Sequence, residues 1–544
     1  MGQPDQLSTG DLVALALQRA GTRHLFTLNG GHIWGLLMGA VEHGLHLVDV
    51  RNEQTAAFAA EGWSKLTREC GVAAVTAGPG VTNSMSTLAG AWANDSPLLV
   101  IGGRSPLATE GMGSLQELDH LPLVRSVTKF AQTLKTPEDA YRTVSEALRL
   151  ALSARSGPAF LDVPADVFFG SAAAPEDTEH LVPDRGAHPD PDAVREAARL
   201  IREARQPAVV AGSGVWWGHA EEPLRRLLEA AGLPAVTNGL ARGIVPPVSP
   251  GFATRARSVA LGEADLVLVV GVPLDFRLAF GRAPVFNEDA RLIYVDVDAR
   301  RRHRPGALAL DGDLAQALTA LAEACTGRPR HGEWLERVAA ATERARRLDA
   351  GLAESDSRPI HPARLVEEVR RRLDPDAVVI GDGGDFVSFA GRLIEPARPG
   401  LFLEPGPYGC LGTGAGYAMA ARLAHPDGQV VVLAGDGAFG FSAMDVETLV
   451  RHRLPVVFVI GNNGIWATEK HPMQALLQTA IATDLSPGIR YDRLVESLGG
   501  HGELVTEPEQ IGPAFERALK SGVPACLNVI TDPDAAYPRS AALI

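Results

Sequence analysis

The chain has 544 residues, too many for one ordinary domain, so about three or four domains are expected. Hydrophobic residues make up 46% and charged residues 21%, a balance that supports large buried cores and excludes a disordered protein. The formal net charge of −14 argues against a nucleic-acid-binding protein, which usually carries a basic face.

The cysteines and the apolar runs indicate the compartment. Cys70, Cys325, Cys410 and Cys526 are far apart and show no metal-ligand spacing, which favours free thiols in a reducing compartment. The start of the sequence has no basic region followed by an apolar run, so no signal peptide is visible. No apolar segment approaches the roughly 18–20 residues that cross a bilayer. We therefore expect a cytoplasmic protein without membrane contacts.

The first α/β block is predicted over residues 1–180. Apolar runs typical of strands, at 71–78 and 97–103, alternate with helical stretches such as 55–66. Ser8 or Thr9 is a suitable residue to start the first helix.

Two further blocks, at 190–328 and 358–544, repeat this alternation of strands and helices. Short apolar strands separated by helices imply parallel sheets that are covered on both faces. The predicted fold class is therefore α/β, with three open parallel-sheet domains, and ligands gather at the carboxyl ends of such strands. The predicted strands of these two blocks are 265–274, 290–299, 377–385, 429–437, 455–463 and 525–532.

One segment of the third block, 430–466, carries the strongest chemical signal. A strand runs into Gly435-Asp436-Gly437, a helix follows, and a second strand ends at Asn463. Asp436 and Asn463 therefore lie at the ends of two strands that can be neighbours in one sheet. A carboxylate and an amide carbonyl are hard oxygen ligands of the kind that Mg²⁺ prefers, with phosphate and water completing its shell.

The residues that open the following helix suit a phosphate group. The N–H groups of Gly437, Ala438 and Phe439 can face an anion, and glycine lets the backbone approach it closely. A GDG turn followed by an Asn-Asn pair, each closing a strand, is the thiamine diphosphate signature. The sequence therefore predicts thiamine diphosphate and Mg²⁺ as cofactors.

Glu53 supplies a second element of that chemistry. It follows an apolar strand and precedes a helix in LHLVDVRNEQTAAFAAEG. Thiamine diphosphate must lose a proton from its thiazolium ring, and its own aminopyrimidine acts as the base. A carboxylate at the pyrimidine N1′ favours the tautomer that makes this possible. The alternative is a helix-capping glutamate with its charge in water.

With Glu53, TAGPGVTN (76–83) and the GDG…NN motif, the chain resembles the acetolactate synthase-like family of thiamine diphosphate enzymes over nearly its whole length. The resemblance implies a pyrimidine-binding domain, a middle domain and a pyrophosphate-binding domain, in that order. It also implies that the cofactor lies between two subunits, so that a homodimer is the minimum active unit and a homotetramer is expected.

The resemblance assigns roles to individual residues. Glu53 would contact N1′, and Pro79 would line the pyrimidine pocket. The side chains of Asp436 and Asn463 and the carbonyl of Ile465 would bind the metal. Leu411 would wedge the cofactor into a bent conformation, and the Gly409 carbonyl would accept from its amino group. The rest of the expected cofactor-binding set is Asn83, the 382–385 turn with Gly384 and Asp385, Gly435, Gly437, Ala438, Phe439 and Trp466.

Other segments indicate a branch of the family. LNGGHIWGLL (28–37) with SLQELD (114–119) resembles benzaldehyde lyase and the 2-hydroxyacyl-CoA lyases, in which His32 and Gln116 would hold the substrate oxygen and relay protons. Glu469 and His471 would point from a loop and its helix towards the thiazolium ring as catalytic groups. The expected main function is cleavage of a 2-hydroxyacyl-CoA into an aldehyde or ketone and formyl-CoA, or the reverse condensation.

A coenzyme A ester is expected from the middle block. The segment 271–281 resembles the stretch that these lyases carry beside the ADP part of CoA, and Arg255, Arg257 and Arg277 would meet phosphates there. An ADP, CoA or FAD molecule in the middle domain is therefore a further expectation.

Several alternatives remain open. The first is an acetolactate synthase that uses pyruvate, or a benzaldehyde lyase-type enzyme that acts on free acyloins. A second is a catalytically silent regulatory subunit, against which the intact Glu53, Asp436 and Asn463 argue. A third is an NAD-type dinucleotide protein, suggested by AGSGVWWG at 211–218.

Overall fold

Three parallel sheets, each covered by helices, organise the chain, as seen in a computed structural model that describes residues 6–175, 182–298, 307–327 and 331–538. The predicted α/β class with three open parallel-sheet domains is thereby confirmed. Among the described residues, no helix is both long enough and apolar enough to cross a membrane.

The first sheet has six parallel strands, and a small antiparallel pair lies beside it. Its helices are α1 (Thr9–Arg19), α2 (Trp34–Glu42), α3 (Glu53–Thr67), α4 (Pro79–Asn83), α5 (Met85–Asn94), α6 (Leu121–Val124), α7 (Ala140–Leu152) and α8 (Ala165–Phe168). Strands β2 (His24–Thr27), β3 (His46–Asp49), β4 (Gly71–Val75), β5 (Leu98–Arg104), β6 (Phe130–Thr133) and β7 (Ala159–Pro164) form the sheet, and β1 (Gln6–Ser8) pairs with β8 (Ser171–Ala173).

The middle sheet has five parallel strands in the order β10-β9-β11-β12-β13. These strands are β9 (Pro207–Ala211), β10 (Ala235–Thr237), β11 (Leu266–Val270), β12 (Arg291–Asp296) and β13 (Leu308–Asp311). The helices are α9 (Pro191–Glu203), α10 (Ser213–Trp217), α11 (Glu221–Ala231), α12 (Arg257–Ala260), α13 (Leu314–Ala324) and α14 (Gly332–Ala353).

The third sheet again has six parallel strands. They are β14 (Val378–Asp382), β15 (Phe402–Leu403), β16 (Val430–Gly435), β17 (Val457–Asn462), β18 (His501–Val505) and β19 (Ala525–Ile530). The helices are α15 (Pro362–Arg370), α16 (Asp385–Leu393), α17 (Gly414–Ala424), α18 (Asp436–Ser442), α19 (Val446–Arg451), α20 (Ala467–Leu477), α21 (Tyr491–Ser497) and α22 (Pro508–Lys520).

The first helix shows how local sequence sets these boundaries. The Ser8 side chain accepts a hydrogen bond from the backbone N–H of Asp11, and the Asp11 carboxylate accepts from the backbone N–H of Ser8. This reciprocal capping satisfies N–H groups that have no partner inside the helix. The predicted start of α1 at Ser8 or Thr9 is confirmed.

The first and third sheets share one topology. Their strand orders are β3-β2-β4-β5-β7-β6 and β15-β14-β16-β17-β19-β18, which match strand for strand. In each sheet the chain leaves the first strand in both directions, and such a reversal opens a crevice at the carboxyl ends of the strands. Glu53 follows β3, whereas Asp436 follows β16. The residues expected to bind the cofactor therefore lie at the carboxyl ends of the strands in two sheets of the same topology.

Helix α14 was not predicted as an element, because its sequence is rich in charged residues. Its apolar residues Trp334, Val338 and Ala341 are buried in a core shared with the middle sheet. The Trp334 indole N–H donates to the Pro207 carbonyl at the start of β9, with N···O 2.9 Å. The packing of the middle domain thus continues beyond residue 328.

A buried polar cluster, formed by Glu61, Lys65 and Tyr417, joins α3 of the first domain to α17 of the third. The Lys65 Nζ lies 3.1 Å from the Glu61 carboxylate and 2.7 Å from the Tyr417 hydroxyl. That hydroxyl donates to the other Glu61 oxygen at 2.8 Å. The middle domain joins the same cluster, because the indole N–H of Trp216 donates to the Lys65 carbonyl.

We expect Lys65→Met to lower the free energy of unfolding by about 3–5 kcal/mol, because it leaves the Glu61 carboxylate buried without its cation. Lys65 and Glu61 are only 2% and 1% exposed, so solvent screens this pair little. Thermal unfolding followed by circular dichroism measures the change as a lower Tm.

The matched control is Arg493→Met, which breaks an exposed ion pair with Glu496 on α21. Exposed pairs contribute about 1 kcal/mol or less. Equal Tm shifts for the two variants would contradict the role assigned to the buried cluster.

Candidate active site

Asp436 lies at the end of β16, as the first residue of α18, and its side chain is buried. Its Oδ2 accepts a hydrogen bond from the Gly464 N–H at 3.1 Å. Burial raises the pKa of Asp436 to about 6, against partial compensation by nearby backbone N–H groups. Among the described residues, no lysine, arginine or histidine forms an ion pair with it.

The segment after β17 brings the other expected metal ligands next to Asp436. Asn463 and Gly464 directly follow the strand, and the Asn463 side-chain oxygen accepts from the Ile465 N–H at 3.2 Å. A buried carboxylate without a cation, beside an amide oxygen, matches the donor set of a hard divalent ion. The described residues contain no group of three or more His, Cys, Asp or Glu side chains that could hold a metal. A metal ion at Asp436 would therefore need further oxygen ligands from the phosphate groups of a bound cofactor.

Three glycine-containing turns meet around this carboxylate. A Cβ placed on Gly383 would lie 3.3 Å from Ala438 Cβ and 3.4 Å from the Gly435 nitrogen. A Cβ on Gly437 would overlap the ring of Trp466, and one on Gly384 would overlap Thr468. The turns after β14, β16 and β17 thus share one crevice, which brings Gly384, Gly435, Gly437 and Trp466 together; their contacts with the cofactor stay predictions.

Two members of the predicted set face the domain core. Phe439 is buried between Phe458 and Tyr491, each with ring centroids 5.5 Å away. Ala438 is also buried. Any contact of these two residues with the cofactor is thus through their backbone.

The Asp382 carboxylate holds the loop that carries Gly409 and Leu411. The sequence predicts that the turn from Asp382 to Asp385 touches the diphosphate. The buried Asp382 carboxylate accepts from the N–H groups of Gly412 and Gly414, at 3.0 and 2.8 Å, and the contact of the turn with the diphosphate stays a prediction. Asp382 therefore fixes the segment between Leu411 and α17, a role that local sequence does not reveal.

Asp385 and His471 meet the C-terminal segment. The Asp385 carboxylate accepts from the Tyr537 N–H at 2.9 Å and lies 3.5 Å from His471 Nδ1. The other ring nitrogen of His471 lies 2.9 Å from the Pro533 carbonyl. Glu469 is exposed in the first turn of α20. The catalytic roles of His471 and Glu469 stay predictions.

Glu53 is the first residue of α3, and its side chain is buried. Asn52 caps the helix, and the Asn83 amide donates to Glu53 Oε2 at 2.9 Å. Glu53 is therefore not the solvated capping residue of the alternative interpretation. Pro79 starts α4 and Asn83 ends it, so this short helix faces the Glu53 carboxylate.

His32 and Gln116 meet through Thr76, which the sequence analysis did not single out. His32 Nδ1 lies 3.1 Å from the Thr76 hydroxyl, and that hydroxyl donates to the Gln116 side-chain oxygen at 3.4 Å. Burial lowers the pKa of His32 below its usual value. The predicted pair thus lies in one cluster, at the ends of β2 and β4.

Within the described part of the chain, no hydrogen bond joins the Glu53 carboxylate to the Asp436 crevice. We call the Glu53 cluster of the first domain and the Asp436 crevice of the third the two halves of the candidate site.

Comparison with known proteins identifies the family. Descriptions of the thiamine pyrophosphate enzyme N-terminal TPP binding domain, central domain and C-terminal TPP binding domain match residues 7–123, 194–321 and 382–529. The acetolactate synthase large subunit IlvG of Mycobacterium tuberculosis is 51% identical, over 98% of this chain and 97% of that protein. The chain belongs to the acetolactate synthase family of thiamine diphosphate-dependent enzymes.

Relatives with lower sequence identity to this chain are 2-hydroxyacyl-CoA lyases. The 2-hydroxyacyl-CoA lyase 2 of Danio rerio is 31% identical, over 96% of this chain and 91% of that protein. The 2-hydroxyacyl-CoA lyase of Arabidopsis thaliana is 30% identical, over 97% and 96%. These identities do not support the expectation of a closer relation to the lyase branch.

We expect Asp436→Asn to raise the Tm of the cofactor-free protein at neutral pH. Because the pKa of Asp436 is raised from 3.8 to about 6, ionisation costs folding stability as pH rises through that interval. The same change should abolish the increase in Tm that thiamine diphosphate with Mg²⁺ gives the unaltered protein.

Asp296→Asn is the matched control, since burial raises the pKa of Asp296 to about 7 in the middle domain. That variant should keep the full cofactor-induced shift. A cofactor-induced shift that survives in Asp436→Asn would contradict the assignment.

Proposed function

We propose that this enzyme decarboxylates a 2-keto acid such as pyruvate and transfers the remaining two-carbon unit to a second 2-keto acid. The support is the 51% identity to an acetolactate synthase along 98% of the chain. Both halves of the crevice also retain their expected polar residues, Glu53 and Asp436. A silent regulatory subunit would have no need to keep them.

Thiamine diphosphate would bind with Mg²⁺ in the third-domain crevice. The side chains of Asp436 and Asn463 and the carbonyl of Ile465 would hold the metal. When bound, thiamine diphosphate would supply the carbon nucleophile and the electron sink that decarboxylation of a keto acid needs. The Leu411 loop, anchored by Asp382, would support the cofactor from the side.

Glu53 would hold a proton between its carboxylate and the pyrimidine N1′. Its Oε2 already accepts from Asn83, which leaves Oε1 for the cofactor. Sharing a proton in this way is how a neighbouring group tunes a base.

On the substrate side, the hydrogen-bond directions assign the proton positions. The Thr76 hydroxyl donates to Gln116, so its oxygen accepts from His32 Nδ1–H. His32 Nε2 would then take or return a proton at the substrate oxygen, and a hydrogen bond from the ring to the Leu115 carbonyl partly offsets the effect of burial on the pKa of His32. The Gln116 amide nitrogen remains a donor for the same oxygen.

A homodimer, and from it a homotetramer, would join the two halves of the site. Apolar side chains are exposed on both halves: Met112 and Leu115 flank the Gln116 loop, whereas Tyr408, Phe441 and Met444 lie beside Leu411 and α18. Exposed apolar patches of this kind mark protein interfaces. We propose that a second copy covers both patches, in a cytoplasmic enzyme that binds neither nucleic acid nor membrane.

We expect Glu53→Gln to lower kcat by about 100-fold or more, because the amide cannot share a proton with N1′ as the carboxylate does. Thiamine diphosphate should still bind, since the amide keeps the size and hydrogen bonding of the side chain. Steady-state kinetics and a fluorescence titration with the cofactor measure the two effects.

Glu69→Gln serves as the control, because Glu69 lies exposed at the end of α3 and pairs with Arg23. Its kcat should match that of the unaltered enzyme. Unchanged turnover in Glu53→Gln would overturn the role proposed for Glu53.

A second candidate function, cleavage of a 2-hydroxyacyl-CoA, is favoured by an arginine-lined cavity of about 580 Å³ between the middle and third domains. Arg255 and Arg392 contact Asp349 there. Arg242 donates to the backbone carbonyls of Gly391 and Ile394, and no carboxylate within the described ranges forms an ion pair with it. Burial lowers the pKa of both Arg242 and Arg257.

Guanidinium groups that are buried without a bound carboxylate suit phosphate groups, such as those of a CoA ester. The Arg257 side chain donates to the Arg277 carbonyl. Arg277 itself pairs with Asp275. Arg255 and Arg257, the other two arginines predicted to meet CoA, line this cavity. The ADP or FAD expected in the middle domain would bind in a separate cavity of about 280 Å³, beside Asp296 at the end of β12.

The substrate class can be assigned by assaying the enzyme, loaded with thiamine diphosphate and Mg²⁺, against pyruvate and a 2-hydroxyacyl-CoA. We expect acetolactate from pyruvate, with Arg257→Met retaining turnover within about threefold, because removing a phosphate-binding cation affects only a phosphorylated substrate. Formyl-CoA production that Arg257→Met abolishes, without acetolactate formation, would replace the first function by the second.

A further inference from the structure

His120 is a fully buried histidine that neither cofactor nor substrate assignments use. Its Nε2 lies 3.0 Å from the Gly78 N–H, which donates to it. The other ring nitrogen, Nδ1, lies 3.1 Å from the Asp162 carboxylate. Because Nε2 must accept, the ring proton lies on Nδ1 and donates to Asp162. The ring thus bridges a loop N–H and a buried carboxylate.

Asp162 is itself fixed from the far side. It is fully buried on β7, and its second oxygen accepts from Arg104 Nη1 at 2.9 Å. Arg104 lies at the end of β5 and also pairs with Glu110. A carboxylate held by a guanidinium in a buried site has little freedom to move. His120 is therefore anchored to two strands of the first sheet.

The group that His120 holds is the turn between β4 and α4. Gly78 has φ +58° and ψ −108°, a conformation that other residues rarely adopt. An added Cβ there would lie 2.9 Å from the Gln116 carbonyl oxygen. Two residues before Gly78 is Thr76, the partner of His32 and Gln116. Directly after it, α4 leads to Asn83, which donates to Glu53.

We propose that His120, supported by Asp162, is a positioning residue. It fixes the position of the substrate-facing residues around Thr76 relative to the cofactor-facing residues around Asn83. The Gly78 turn connects the two, so a shift of its backbone moves Thr76 and Asn83 together. This inference deepens the proposed function and rests on it for the roles of His32 and Glu53.

His120→Phe tests the proposal, because it keeps an aromatic ring but removes both hydrogen bonds. His120→Gln supplies an acceptor that can reach Gly78, and His120→Asn keeps a donor for Asp162 but is too short for Gly78. His331→Phe is the matched control: His331 is also buried, with ring nitrogens 2.9 and 3.1 Å from two backbone carbonyls of the middle domain.

Three readouts apply to the full-length variants: Tm, the affinity for thiamine diphosphate with Mg²⁺ by tryptophan fluorescence, and hydrogen exchange of the peptide spanning 76–83 in the cofactor-free protein. We expect His120→Phe to weaken cofactor affinity by on the order of tenfold and to speed exchange in that peptide, since small displacements of positioned groups are costly. His120→Gln should stay within about threefold of the unaltered protein, because it restores the same hydrogen bond. His331→Phe should lower Tm without changing affinity.

Normal affinity and exchange in a folded His120→Phe variant would overturn the proposal. If His120→Phe does not fold, the comparison of His120→Gln with His120→Asn decides, and equal affinities for these two would overturn it. Because none of these readouts uses a keto acid, failure of the enzyme to consume pyruvate would reject the proposed substrate alone.

Discussion

The packing of α3 against α17 governs the geometry of the candidate active site, because each helix begins at residues of one half of that site. Helix α3 starts with Glu53, and α17 starts directly after the loop that carries Leu411. The two helices are joined by Glu61, Lys65 and Tyr417, whose buried polar atoms satisfy one another. A buried ion pair gains little net stability, but a misplaced partner is costly, so such a pair favours a single arrangement of the two helices. The positions of the glutamate and of the loop are thereby set by one interface.

Asp382 and Asp436 are two buried carboxylates of the third domain that have different hydrogen-bond partners and different roles. Burial raises the pKa of both Asp382 and Asp436 to about 6. Both oxygens of Asp382 accept from backbone N–H groups of the loop before α17, so its charge is used to hold the backbone. Backbone N–H groups, that of Gly464 among them, only partly compensate the burial of Asp436, which has no basic partner among the described residues. A bound cation would balance its charge and so couple cofactor binding to stability.

Much of the fold and part of the site could be predicted because they depend on local sequence. Strand–helix alternation gave the three sheets. Asp436 and Asn463 could be proposed as site residues because each directly follows a strand, and Glu53 because it starts the helix after β3. Helix α14 was missed, because its apolar residues are sparse among charged ones. Thr76 and His120 were missed because their roles depend on contacts between distant segments, which no local pattern encodes. The short segments at 28–37 and 114–119 favoured the lyase branch, whereas identity along the whole chain favours acetolactate synthase. Substrate choice depends on a few loop side chains, so one short motif is a weak guide to it.

We propose that a magnesium ion and thiamine diphosphate bridge the third domain of one chain and the first domain of another. A crystal structure of the enzyme with both ligands would show this arrangement. We predict that the metal is bound by the side chains of Asp436 and Asn463 and the carbonyl of Ile465, with the pyrimidine N1′ beside Glu53 of a second copy. A cofactor bound elsewhere, or one whose pyrimidine ring lies away from every Glu53, would contradict it.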